Sequence, residues 1–296
     1  MKSVCDAILI FKRHIWIKNE NVEFTYNNSE IKCIFVEEKD LDKLKIHIVS
    51  NSRDEAYYLC LTVFNYLFVA LGRVPQISSF IIDNESEIER MPSFYICSQR
   101  FDSRDMALFS INNNTFNENI LSQIDLIDNQ FPILSSLIAL HSHNYENICD
   151  DHRVNLLIHS MEGYHRLQNP KKVDLKDRLQ DILSELKFYD DRYKIGICDV
   201  YEKSLEELLK NIRNQYSHYF DAGISDFTNL DFFFGFFVIS YSYRLKIIKD
   251  IGISVEDKFV EEYYCILYDW LNFVKGNKIP FKSNAYITNY RANLKG

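Results

Sequence analysis

Arg213, Asn214 and His218 fall within six residues of the stretch "NIRNQYSHYF" at 211–220. Together these residue types suit phosphodiester cleavage. A histidine titrates near neutral pH and can take or give the proton that moves between a ribose hydroxyl and a leaving oxygen. An arginine stays charged, and its planar fork complements the charge that builds on a pentacoordinate phosphorus. The asparagine can position a phosphate or hold the imidazole ring. The spacing sets a geometric condition. Asn214 and His218 are four apart and share a helix face, whereas Arg213 and His218 are five apart, about 140° around an ideal helix. For both to reach one phosphate, the helix must end or distort there, or two chains must share a cleft. The same cations also suit an ordinary helix C-terminus, where positive charge is favoured.

These residues need a helix to carry them, and the preceding sequence supplies one. In "DVYEKSLEELLKNIRNQYSHYF" (199–220), Ser204-x-x-Glu207 has the form of a capping box. Leu205, Leu208, Leu209 and Ile212 follow as a buried stripe at helical spacing. Further helices are expected over 132–144, 150–167, 174–189, 226–252 (closed by Gly252) and 254–274. Before residue 130 the pattern differs. Residues 22–28, 31–38 and 43–50 read as strands joined by hairpins, 54–73 as a helix capped by Asn51 or Ser52, and 76–83 and 93–98 as further strands. The expected fold class is an α+β N-terminal domain over 1–130 followed by an all-α bundle over 131–296. The 296 residues are enough for two ordinary domains, and the 47% hydrophobic content is enough for a core.

Charge bounds the function. The net charge is −8, so the chain exerts no broad attraction on nucleic acid. The balance is uneven, however. Residues 1–130 hold 13 Lys and Arg against 19 Asp and Glu, a net of −6; residues 131–296 hold 21 against 23, a net of −2. A basic patch can therefore sit in the second part. Lys171, Lys172, Lys176 and Arg178 are the candidates for meeting RNA phosphates, although Asp174, Asp177 and Asp181 alternate with them as on an ordinary solvated face.

Five of the eight histidines lie between 141 and 165. His141-x-His143 and Glu162-x-x-His165 have metal-ligand spacing. A di-metal bundle needs two Glu-x-x-His pairs and the chain has one there, so no bound metal and no cofactor is expected. The aromatic run Phe232, Phe233, Phe234, Phe236 and Phe237 could stack bases, but its uninterrupted apolar character points to core or dimer packing. The seven scattered cysteines show no CxxC spacing and read as reduced thiols. The opening apolar stretch is too short for a signal peptide, and the longest apolar runs are shorter than the roughly 18 residues a membrane span requires. A cytoplasmic protein without membrane contact is expected.

Three blocks resemble a known family in order and spacing. "LEELLKNIRNQYSHYF" resembles the signature helix of the HEPN superfamily, whose hallmark is R-x4–6-H with a polar residue after the arginine. "LLIHSMEGYHRL" resembles the early family helix, where an aliphatic run leads to a glutamate and an aromatic. "LKDRLQDIL" resembles the helix that precedes the signature in the subgroup related to ApeA, an anti-phage nuclease. The resemblance covers about residues 131–276. It implies a HEPN-like helical bundle and a homodimer whose signature helices face each other across a composite cleft. The implied activity is metal-independent RNA cleavage through the ribose 2′-hydroxyl, leaving a 2′,3′-cyclic phosphate. His218 would be the general acid/base, Arg213 the transition-state clamp, Asn214 a positioning residue and Glu162 a polar partner from the early helix. The resemblance further implies a role in anti-phage defence (abortive infection) or as a toxin, with a phage or host ligand at the N-terminal domain. Some family members keep the fold and serve only as dimerisation or interaction modules.

Overall fold

The first nine-residue strand, β1 (Ser3–Phe11), lies where the sequence reading places no strand, yet it is central to the sheet. Its period-two pattern buries Cys5, Ala7, Leu9 and Phe11 on one face. The computed structural model describes residues 2–11, 21–37, 42–72, 74, 76–92, 107–130, 133–141, 150–193, 204–218, 229–261 and 263–264. The remaining strands are β2 (Val22–Tyr26), β3 (Ser29–Glu37), β4 (Asp42–Ser50), β5 (Gln76–Ile82) and the short β6 (Glu85–Ser86). They form an antiparallel sheet in the order β2-β3-β4-β1-β5-β6. Two hairpins are closed by two-residue turns, Asn27-Asn28 and Asp83-Asn84. All four turn residues have positive φ, the conformation that asparagine and aspartate tolerate best and that matches the twist of the strands. The strand expected over 93–98 lies outside the described residues.

Helix α1 (Arg53–Leu71) covers the inner face of the sheet. Ser52 caps it by accepting from the Glu55 amide at 3.2 Å, and Gly72 ends it at φ 69. The next helix, α2 (Glu118–Gln130), lies in a stretch where the sequence reading places no element. Asn117 Oδ1 accepts from the Ile120 amide at 3.2 Å, and Ile120, Leu121, Ile124 and Ile127 turn inward. An asparagine-rich approach hides that stripe in the sequence.

The helical region comprises α3 (Ile133–His141), α4 (Asp150–Gln168), α5 (Leu175–Ile182), α6 (Ser184–Tyr193), α7 (Leu205–His218) and α8 (Asn229–Asp250). The single helix expected over 174–189 is two helices. Leu183 closes the first, and Ser184 Oγ donates to the Asp181 carbonyl at 2.7 Å, where a local hydroxyl competes with the helical ladder. Gly252 closes α8 with φ 84, and only the start of the helix expected over 254–274 is described. Among the described residues no helix is long and apolar enough to cross a membrane.

The protein thus has an N-terminal antiparallel sheet followed by a helical region. Residues of both parts belong to one buried cluster. Asp128 of α2 starts α3 by accepting from the Leu134 amide at 2.8 Å, and it also accepts from Asn65 of α1 at 3.1 Å. Arg244 of α8, 1% exposed, donates twice to the Val69 carbonyl near the end of α1, at 3.1 and 2.9 Å. The sheet region therefore has direct polar links into the bundle that carries the candidate site.

Candidate active site on helices α4 and α7

Helix α7 follows the expected pattern. Ser204 Oγ accepts from the Glu207 amide at 3.4 Å, and Leu205, Leu208, Leu209 and Ile212 are all buried. That stripe packs α7 on α4 and α5. Arg213 follows directly after the stripe, so it stands at the edge of the contact with its side chain 24% exposed. The helix runs unbroken from 213 to its last residue, His218. No distortion brings Arg213 and His218 onto one face, and the offset of about 140° persists. The side chain of His218 lies outside the described residues.

Contacts between α4 and α7 run antiparallel. Arg213 Nη2 approaches Glu162 Oε2 at 3.7 Å, and the other Glu162 oxygen accepts from Arg166 Nη2 at 2.6 Å. Arg213 Nη1 also donates to Asn214 Oδ1 at 3.4 Å. One turn along α7, Ser217 Oγ lies 3.4 Å from His159 Nε2, a long and weak contact. Nearer the start of α4, the Tyr216 hydroxyl donates to Asp151 and its ring packs on His152 at 5.0 Å between centroids. Glu162, with 11% of its side chain exposed, is therefore shared by two guanidinium groups. The two arginines and the carboxylate carry one net positive charge, which suits an incoming phosphate. Burial and the Arg213 charge both lower the titration of His159, while Glu162 raises it; lowering wins, and the ring is neutral at neutral pH.

The structure brings Arg213, Asn214 and Glu162 together and adds two groups that the sequence reading did not assign to the site, Arg166 and His159. Both were signalled by spacing. Arg166 is four residues after Glu162 and His159 three before it, so all three share a face of α4.

The basic set divides. Lys171 and Lys172 are exposed on the link between α4 and α5. Lys176 lies 3.9 Å from Glu207, and Asp174 caps α5 while pairing with Lys210 at 3.0 Å. Arg178 is a correction: it is 4% exposed and cannot serve as an RNA contact. Its guanidinium donates to the carbonyls of Val173 at 3.2 Å, Asn169 at 3.4 Å and Lys171 at 2.8 Å, and to His165 Nδ1 at 2.9 Å. A buried charge is retained only where such acceptors satisfy it, and here the chain leaving α4 provides them.

The same contacts account for other motifs. His165 faces Arg178 and, at 3.7 Å, Asp181. His141 Nδ1 donates to the Leu137 carbonyl at 2.8 Å and Nε2 accepts from Ser240 Oγ at 2.7 Å; burial holds its titration down at about 3. His143 lies outside the described residues, and among those described no group of three His, Cys, Asp or Glu could hold a metal ion. Phe236 is fully buried against His141, and the side chains of Phe232, Phe233 and Phe234 lie outside the description. A separate cleft of about 170 Å³ is lined by residues including Tyr164, His165, Asp181, Lys246 and Asp250. Its charges are turned on one another: Lys246 pairs with Asp250 at 2.9 Å, and Tyr164 donates to Asp250 at 2.8 Å.

Compared with known proteins, the chain matches no family model, curated protein or solved structure.

Proposed function

We propose that this protein is a metal-independent endoribonuclease of the HEPN type, acting as a homodimer in anti-phage defence or in a toxin-like role. The observation that carries the reading is the Glu162–Arg213–Asn214 contact at the edge of the α4–α7 packing. The cluster has excess positive charge, a side chain open to solvent, and a histidine five residues further along the same helix. Arg213 clamps the phosphate, Asn214 and Glu162 position that guanidinium, and His218 transfers the proton. Because α7 is continuous, the second cation face comes from another copy of α7 across a shared cleft. The N-terminal sheet region recognises a phage or host ligand, and its contacts with α8 and α3 carry that event to the bundle.

The competing reading is a silent interaction module. It is favoured by the existing engagement of Arg213 with Glu162, which is also what a purely structural arginine would show. Single-stranded RNA or tRNA incubated in chelator with wild type, His218→Ala and Arg213→Ala separates the two. Cleavage by wild type alone, with cyclic phosphate ends, supports the nuclease. No cleavage by wild type, or equal cleavage by all three, removes it.

A further inference from the structure

We propose that His159 is the general base of the cleavage step, a role for a second imidazole that rests on the nuclease reading above. Transfer through the 2′-hydroxyl needs one group to remove a proton and another to protonate the leaving oxygen. On an unbroken α7, positions 213 and 218 stand about 140° apart around the helix, so one copy of α7 does not set position 218 beside the phosphate that Arg213 holds.

His159 meets the requirement. It is partly exposed, it lies three residues before Glu162 on the same face of α4, and its Nε2 reaches α7 beside Ser217, one turn beyond Arg213. The Ser217 hydroxyl sits at 3.4 Å, close enough to mark where a hydroxyl can stand and too far to hold the nitrogen. The groups facing the ring are Glu162 on its own helix and Arg213 on α7, which also carries His218 one residue beyond Ser217. Burial and Arg213 keep the ring neutral, the form that accepts a proton. The same guanidinium therefore serves twice, as a phosphate clamp and as the charge that keeps its neighbour unprotonated.

Nε2 of His159 takes the 2′-hydroxyl proton as the O2′–P bond forms. The P–O5′ bond breaks with its electron pair on O5′, which takes a proton from the His218 imidazolium of the second copy across the shared cleft. The products are a 2′,3′-cyclic phosphate and a 5′-hydroxyl, and solvent returns both imidazoles to their starting forms.

A substrate that needs a base but no acid tests this assignment. Uridine 3′-(4-nitrophenyl phosphate) has a leaving group that departs without protonation. The full-length wild type, His159→Ala and His218→Ala are compared on it and on RNA, with thermal unfolding recorded for each. The expected result is a loss of about 100-fold or more for His159→Ala on both substrates, and for His218→Ala on RNA only. The acid limb of the wild-type pH profile should lie below the ordinary histidine range and vanish in His159→Gln. If folded His159→Ala cleaves the nitrophenyl ester within about threefold of wild type and keeps the acid limb, the base assignment is overturned and the nuclease survives. If wild type cleaves neither substrate, the nuclease reading itself fails and this inference falls with it.

Discussion

Two arginines on neighbouring helices show how one residue type is used in two ways. Arg178 of α5 is 4% exposed and donates to three backbone carbonyls and a histidine nitrogen. Arg213 of α7 is 24% exposed on its side chain and meets a carboxylate that it shares with Arg166. Backbone carbonyls are fixed by the fold and cannot be exchanged for a ligand. A shared carboxylate can give up one guanidinium to a phosphate, because the second arginine still neutralises it. The histidines divide the same way. His165 and His141 have both ring nitrogens facing protein groups, whereas His159 is exposed with one weak contact at Nε2. Closed acceptors make a structural group, and a loosely held one is available for chemistry.

The largest effect that would sharpen this contrast is at Arg213. Arg213→Ala should lower RNA cleavage by about 1,000-fold, equivalent to about 4 kcal/mol of transition-state stabilisation. Its unfolding free energy should move by less than about 1 kcal/mol, since the position is at the edge of the packing. Denaturant titration beside a cleavage assay reads both, and a large stability loss with activity intact would erase the distinction. Arg178→Met should show the inverse. Unfolding free energy should fall by about 3 kcal/mol as buried carbonyls lose their donor, while activity per folded molecule stays within about twofold.

The closed histidines give a pH dependence of intermediate size. The unfolded chain protonates His141 near 6.5, but the folded chain resists until about 3. Between those values the unfolded state holds more protons, so stability falls as pH drops. A loss of about 2 kcal/mol between pH 7.5 and pH 5 is expected in urea titrations, with part of the slope removed in His141→Gln. An equal slope in the variant would show that this ring is not closed. The smallest effect belongs to the exposed link. Replacing both Lys171 and Lys172 with alanine should weaken RNA binding a few-fold and reduce the log–log salt slope by roughly 1.4, with no change in unfolding.

Much of the scaffold was legible because apolar spacing reports burial directly. The α7 stripe at Leu205, Leu208, Leu209 and Ile212, the Ser52 and Gly72 caps of α1, and the Asn27-Asn28 turn follow local rules. β1 and α2 escaped for different reasons. The pattern in "SVCDAILIF" is spread over a short run whose outer residues include Ile8 and Ile10, so alternation is blurred. The α2 stripe sits among Asp125, Asp128 and Asn129, and the two aspartate side chains serve contacts with other elements. The break at Leu183–Ser184 depends on a hydroxyl-to-carbonyl contact that periodicity does not encode.

Within the candidate site, the sequence by itself determined which groups exist and which share a helix face: Arg213 with the buried stripe behind it, Asn214 with His218, and Glu162 with Arg166 and His159. Helical period and residue chemistry suffice for that. Only the tertiary structure decided which faces meet. It set Glu162 against Arg213, turned Arg178 inward onto the chain leaving α4, and left His159 open beside Ser217. The physical reason is that an arginine's role depends on the acceptors available to it, and those come from elements far away in the sequence. In "KDRLQDIL" and "NIRNQYSH" the two arginines look alike; the burial of one and the partial exposure of the other arise only when α4, α5 and α7 pack together.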